Sequence, residues 1–236
     1  MSAGATTTAF EPNTFEPLAK RAILAQAALV LALLVDLVAI GSDLIEWQLL
    51  GRIEAGEFVS DSELLANDDR QATMGLLQLG VLIVAAVLFL RWFHRAYSNL
   101  DPLGARNLRF GRGWAIGAWF VPILNLWRPK QIANDLWRAS DPDAPGDQGD
   151  SWHGRAVPAL VAFWWGAFLL AGWVLVAGTR LDAGTLDDLK RTTLSYLASD
   201  SLDAVAAVLA VVVVRWTTAR QEARAERLVR ERLGLS

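Results

Sequence analysis

Cysteine is absent from the 236 residues, which excludes disulfides, thiolate metal sites and cysteine nucleophiles together. Histidine occurs only at His94 and His153, beside charged and aromatic residues, where each reads as an interfacial or solvated side chain and not a proton donor. No Gly-x-Ser-x-Gly, His-Glu-x-x-His, Walker A element or Cys/His cluster is present, so no catalytic residue, metal ligand or cofactor is assigned. Gly111-Arg-Gly113-Trp-Ala-Ile-Gly117 superficially resembles a phosphate loop, but its last spacing is one residue too long and no strand pattern precedes it. Net charge is scarce as well, at -3, which argues against nucleic acid as a partner.

What is plentiful is apolar sequence: 53% of residues are hydrophobic and mean hydropathy is +0.30, well above an ordinary soluble domain. After a Thr/Ala/Pro-rich stretch at 1–18, read as a flexible tail, residues 22–40 form a 19-residue run with Asp36 its only charge, long enough to cross about 30 Å of hydrocarbon. Residues 73–90 carry no charge and end in Arg91-Trp92-Phe-His-Arg95-Ala-Tyr97, a basic and aromatic membrane exit. Residues 157–177 are uncharged and include Trp164, Trp165 and Trp173, and a fourth run ends at Arg215-Trp216. The spans predict helices at about 20–41, 72–95, 157–177 and 193–216, with Trp92, Arg95, Asn99 and Trp216 as interfacial anchors.

Charge asymmetry sets the topology. Residues 41–72 hold eight acids against Arg52 and Arg70, whereas residues 91–155 hold nine basic groups and the C-terminal tail is rich in arginine. The positive-inside rule therefore places both termini in the cytoplasm of a cell whose plasma membrane holds the chain, with 41–72 a solvated outer loop. Ser60-Asp-Ser-Glu63 and Asp68-Asp-Arg-Gln71 both have the form of a capping box, so the second helix is expected to start within this region. A calcium site does not fit the acid spacing.

The segment 111–140 is too short to cross a bilayer and too apolar for a loop. Gly113 and Gly117 share one helical face, which predicts close approach of another helix. Pro122 breaks that helix, and Asn125 and the freed backbone groups require partners. Pro129 suits the first turn of a new helix, with Ile132, Ala133, Leu136 and Trp137 opposite Lys130, Gln131, Asn134 and Arg138. Residues 141–150, polar and Pro/Gly-rich, read as a mobile linker within one domain. The charged tail at 217–236 continues as helix, supported by a Glu226/Arg230 pair.

Asp36, Asp200 and Asp203 are the intramembrane polar candidates. Asp36 and Asp200 each lie fifteen residues from a boundary arginine, Arg21 or Arg215, so both are about 22 Å deep. An isolated ionised carboxylate there costs several kcal/mol, so the two are expected to face each other or a shared polar partner, with Asp203 one turn away. The bland alternative is acids near the outer interface reaching water.

Phe89, Trp92, Arg95, Ala96 and Asn99, then Gly113-Trp114, Phe120-Val-Pro122-Ile-Leu-Asn125-Leu-Trp127-Arg128-Pro129, Leu136-Trp137 and Trp164-Trp165 resemble the DUF4328 family of bacterial multi-pass membrane proteins, over roughly 72–214. The family has no known function, so the resemblance implies architecture and no site chemistry. The reading is thus an all-α integral membrane four-helix bundle with a re-entrant or interfacial helical hairpin on the cytoplasmic side. It favours a non-enzymatic scaffold or regulator acting through the Trp/Arg/Pro-rich hairpin on a protein partner or a second copy. The alternatives are a small proton- or cation-coupled transporter or channel using the intramembrane acids, and a membrane-embedded enzyme acting on lipid.

Overall fold

The computed structural model describes residues 15–180 and 184–234. Among them there is no strand, and the helices are α1 (Ala19–Glu54), α2 (Asp61–Ser98), α3 (Trp114–Gly117), α4 (Arg128–Ala139), α5 (Ala159–Gly178) and α6 (Leu186–Arg232). Four of them, α1, α2, α5 and α6, are long and apolar enough to cross a membrane. Leu34, Leu37 and Val38 on α1 and Leu76, Leu79 and Leu82 on α2 are exposed, an outward apolar surface that hydrocarbon covers and water would not. The chain is a multi-pass membrane protein.

The long helices overrun their apolar runs. Most of the stretch expected as an outer loop is helical, since α1 continues to Glu54 and α2 already begins at Asp61. Gly56, at φ +74, ends α1 in the left-handed conformation that glycine adopts without a Cβ penalty, with the Glu57 N–H closing on the Arg52 carbonyl at 3.0 Å. The first of the two capping boxes starts α2: Glu63 N–H donates to Ser60 Oγ at 3.3 Å and Ser60 N–H to Glu63 Oε2 at 3.1 Å. Asp68 and Gln71 lie inside the helix and cap nothing. A Thr185–Asp188 box starts α6 in the same manner, and α6 then runs unbroken through the charged tail, where the i,i+4 pair is Arg227 with Glu231 at 2.7 Å, in place of Glu226 with Arg230.

The chain forms two compact units. One holds residues up to Gln26, Val87–Ala162 and Val212 onwards; the other holds Ala27–Ala86 and Phe163–Val211. In the second unit residues 27–54 of α1, 61–86 of α2, 163–178 of α5 and 186–211 of α6 form a bundle. Ser199 Oγ donates to the Ala171 carbonyl at 3.2 Å, and a Cβ on Gly178 would sit 2.6 Å from Ser195 Cβ, so α5 and α6 meet through small residues.

In the first unit the polar stretch after α4 is docked, contrary to its composition. The fully buried Arg224 donates to the carbonyls of Leu103 (2.8 Å), Asp141 (2.9 Å), Ala144 (3.0 Å), Pro145 (2.7 Å) and Gly146 (3.4 Å). The segment's backbone carbonyls gather on this one side chain because the guanidinium supplies five donors in a fixed plane, and the Gln148 amide adds bonds to the Leu103 and Ala139 carbonyls at 3.2 and 2.9 Å. Gln148 N–H adds a bond to the Gly104 carbonyl at 3.0 Å. Gly104 itself has φ +87, and a Cβ there would lie 2.2 Å from the Gly146 oxygen. The flexible-tail expectation for residues 1–14 lies outside the described residues. Residues 15–18 depart from it, since Leu18 is buried and Glu16 pairs with Arg21 and Arg95, each at 2.8 Å.

Candidate functional site

In the second unit, Gln78 Nε2 donates to Asp200 Oδ1 at 3.0 Å, and Asp36 lies within electrostatic range of Asp200. Asp203, one turn along α6 from Asp200, lies within electrostatic range of both carboxyls. Gln78 is the sole amide in the 73–90 run, and that isolation is the signal by which a sequence reveals it. It is a hydrogen-bond partner of Asp200.

Two more groups join them that sequence reasoning does not single out. Asp43 lies two turns beyond Asp36 on the same face of α1, as Gln71 and Gln78 do on α2, because seven residues return a helix almost to its starting direction. Gln71 Nε2 donates to Asp43 Oδ1 at 3.3 Å and also to Glu46 Oε2. Its oxygen accepts from Ser42 Oγ at 3.0 Å, and Ser42 Oγ accepts from Arg70 Nε at 3.0 Å. The Asp43 carboxyl also lies within electrostatic range of Asp200. Among the described residues no three His, Cys, Asp or Glu converge as a metal ligand set.

The hairpin belongs to the first unit. Its first helix stops at Gly117, ahead of Pro122, and turns follow through a 3-10 turn at Leu124–Leu126. The glycine pair carries no close approach: a Cβ on Gly113 would meet nothing within 4 Å, and one on Gly117 would meet only the Trp114 ring at 3.9 Å. Four residues of helix provide no continuous face for a second helix to follow. The Asn125 side-chain oxygen finds no partner among the described residues. Pro129 occupies the first turn of α4, and Ile132, Ala133 and Leu136 are buried. Trp137 lies 6.3 Å from the Trp216 ring with Arg220 over its face at 4.3 Å, while Trp127 is exposed and the Arg128 guanidinium stacks over Phe110 at 4.5 Å and Trp114 at 5.1 Å. Also on α4, the buried Asp135 receives two bonds from Arg109, the Nε one at 3.0 Å. Burial pushes the Asp135 carboxyl up while Arg109 pulls it back, and the hydrogen bonds that Arg109 donates to Asp135 raise its guanidinium.

Three of the four expected anchors prove internal or engaged. Trp92 is fully buried and donates from Nε1 to Thr218 Oγ1 at 2.9 Å. The buried Asn99 amide donates to the Glu16 carbonyl at 2.9 Å and to Gln221 Oε1 at 3.4 Å, and Arg95 pairs with Glu16. The apolar run ends at Leu90, but protein still encloses the next two turns, so an aromatic and basic exit there meets Glu16 and α6 partners instead of headgroups. Trp216 alone is substantially exposed.

Comparison with curated proteins and with solved structures finds no match. A family model described as a domain of unknown function matches residues 55–219, a range that includes α2, the hairpin, α5, Asp200 and Asp203, and the chain belongs to that family, DUF4328.

Proposed function

We propose that this protein is a small proton-coupled transporter or channel whose working site is the Asp36–Gln78–Asp200 group, with Asp203 beside it. The observation that carries the reading is the single amide of Gln78 bonded to Asp200 inside a bundle of membrane-length helices, with Asp36 within electrostatic range of Asp200. Ionisable groups at membrane depth are costly and mark ion or proton pathways by default. The bilayer is its partner, the plasma membrane its location, and the distribution of arginine places both termini in the cytoplasm.

The test is proton movement in reconstituted vesicles under an imposed pH gradient, read by an internal pH dye. Wild type should collapse the gradient, and Asp200→Asn and Gln78→Leu should not. Full activity in Asp200→Asn protein that folds normally sinks the proposal. A scaffold role for the hairpin rests on a different feature, the 70% and 68% exposure of Phe120 and Ile123, and an inactive chain that copurifies with a protein partner through those residues would favour it instead.

A further inference from the structure

The polar groups of the second unit do not stop at the Asp36–Asp200 pair; they extend along α1 and α2 toward the turn that joins these helices. From Asp36 to Glu46 is ten residues, or about 15 Å along the axis. Over that length Gln71 bonds Ser42, Asp43 and Glu46 together, the last a half-buried carboxylate where α1 and α2 leave their apolar runs. Asp43 is 4% exposed. One of its oxygens is held by Gln71, and the other, Oδ2, is buried and receives no N–H or O–H from any described residue. A buried acceptor left bare is costly, and a proton on this carboxyl lessens that cost by neutralising the charge.

The ionisable groups around the path are Asp36, Asp43 and Glu46 from α1, Arg70 from α2, and Asp200 and Asp203 from α6; α5 has no ionisable side chain between Ala159 and Gly178. Arg70 is occupied by Ser42 and Asn67 and acts on Asp43 only through space, so among the described residues no cation is bonded to Asp43.

We infer that protons reach the intramembrane site from the α1–α2 turn side, with Asp43 as the carboxyl that receives a proton from Glu46 or water and hands it to Asp200. In the transfer the Asp43 O–H bond breaks, a new O–H bond forms on Asp200, and Asp43 returns to carboxylate to accept the next proton; nothing is oxidised or reduced. Gln71 is a positioning residue, because its one amide group holds both Glu46 and Asp43. The inference rests on the proton-site reading above.

The two can be tested apart in vesicles of known protein orientation, with a pH step applied to one face at a time and protonation of the Asp200 carboxyl followed by infrared spectroscopy. The carboxyl band should vanish in Asp200→Asn. In Asp43→Asn the band should remain but appear about a hundredfold more slowly after a step on the α1–α2 face, the lower end of what a positioned proton-transfer group contributes. A step on the opposite face should be unaffected, and Asp43→Glu should restore the rate. Equal slowing from both faces, or none from the α1–α2 face, overturns the path while leaving the site; a band unchanged in Asp200→Asn overturns the site and the path with it.

Discussion

Removing the guanidinium of Arg224 should release the segment that follows α4. Four of its five carbonyl bonds are 3.0 Å or shorter, to Leu103, Asp141, Ala144 and Pro145. Truncation to alanine leaves the Ala144 and Pro145 carbonyls without a donor in a region where Ala144 and Gln148 are buried, while the Leu103 carbonyl keeps Gln148 Nε2 at 3.2 Å and the Asp141 carbonyl keeps the Ala144 N–H at 3.3 Å. Taking the low end of the cost for a stranded acceptor, about 1 kcal/mol each because water enters as the segment loosens, the penalty is about 2 kcal/mol. At about 1.4 kcal/mol per decade, the opening equilibrium of residues 141–149 should rise by about thirtyfold. Two amides report it: Gln148 N–H, bonded to the Gly104 carbonyl at 3.0 Å, and Arg106 N–H, bonded to the Gly149 carbonyl at 3.1 Å. Amide hydrogen exchange measured in nanodiscs should show both losing protection in Arg224→Ala. Arg224→Lys should fall between, since an ammonium is a point charge with three donors and cannot span the same set of carbonyls. Unchanged protection in the alanine variant would refute the claim that this side chain holds the segment.

Gly178→Ala should destabilise the α5–α6 contact by about 1–3 kcal/mol, the usual cost of overpacking, because the new methyl would lie 2.6 Å from Ser195 Cβ. Pairing it with Ser195→Gly should recover most of the loss in thermal unfolding, and a double variant no better than the single would show that the clash is relieved elsewhere. For topology, a reporter active only outside the cytoplasm should give signal when fused after Glu57 and none after Asn99 or Arg232; the reverse pattern inverts the orientation, and with it the face from which protons arrive.

Membrane class, four spans and helix type are all legible in the amino-acid sequence, because each depends on local composition: an uncharged run of nearly twenty residues has one low-energy form in hydrocarbon. The Ser60–Glu63 cap and the place of Pro129 in the first turn of α4 are legible for the same reason, being interactions within a few residues. The candidate site is half legible. Asp36, Asp200 and Asp203 stand out as charges in apolar runs, and their depth follows from counting. Gln78 is neutral and Asp43 sits beyond the apolar run among other acids, so the role of each emerges only when the helices come together.

What tertiary structure alone decides is whatever depends on a distant donor or a distant surface. Residues 141–150 have the composition of a free linker, yet Arg224, some eighty positions away, supplies the donors that fix them. Trp92 and Asn99 have the composition of an interface, yet Thr218, Gln221 and Glu16 enclose them. A sequence records what a side chain can donate, accept or bury; which backbone or side chain lies opposite is set only when the helices pack, and that packing determines whether a polar group is an anchor, a clasp or a proton site.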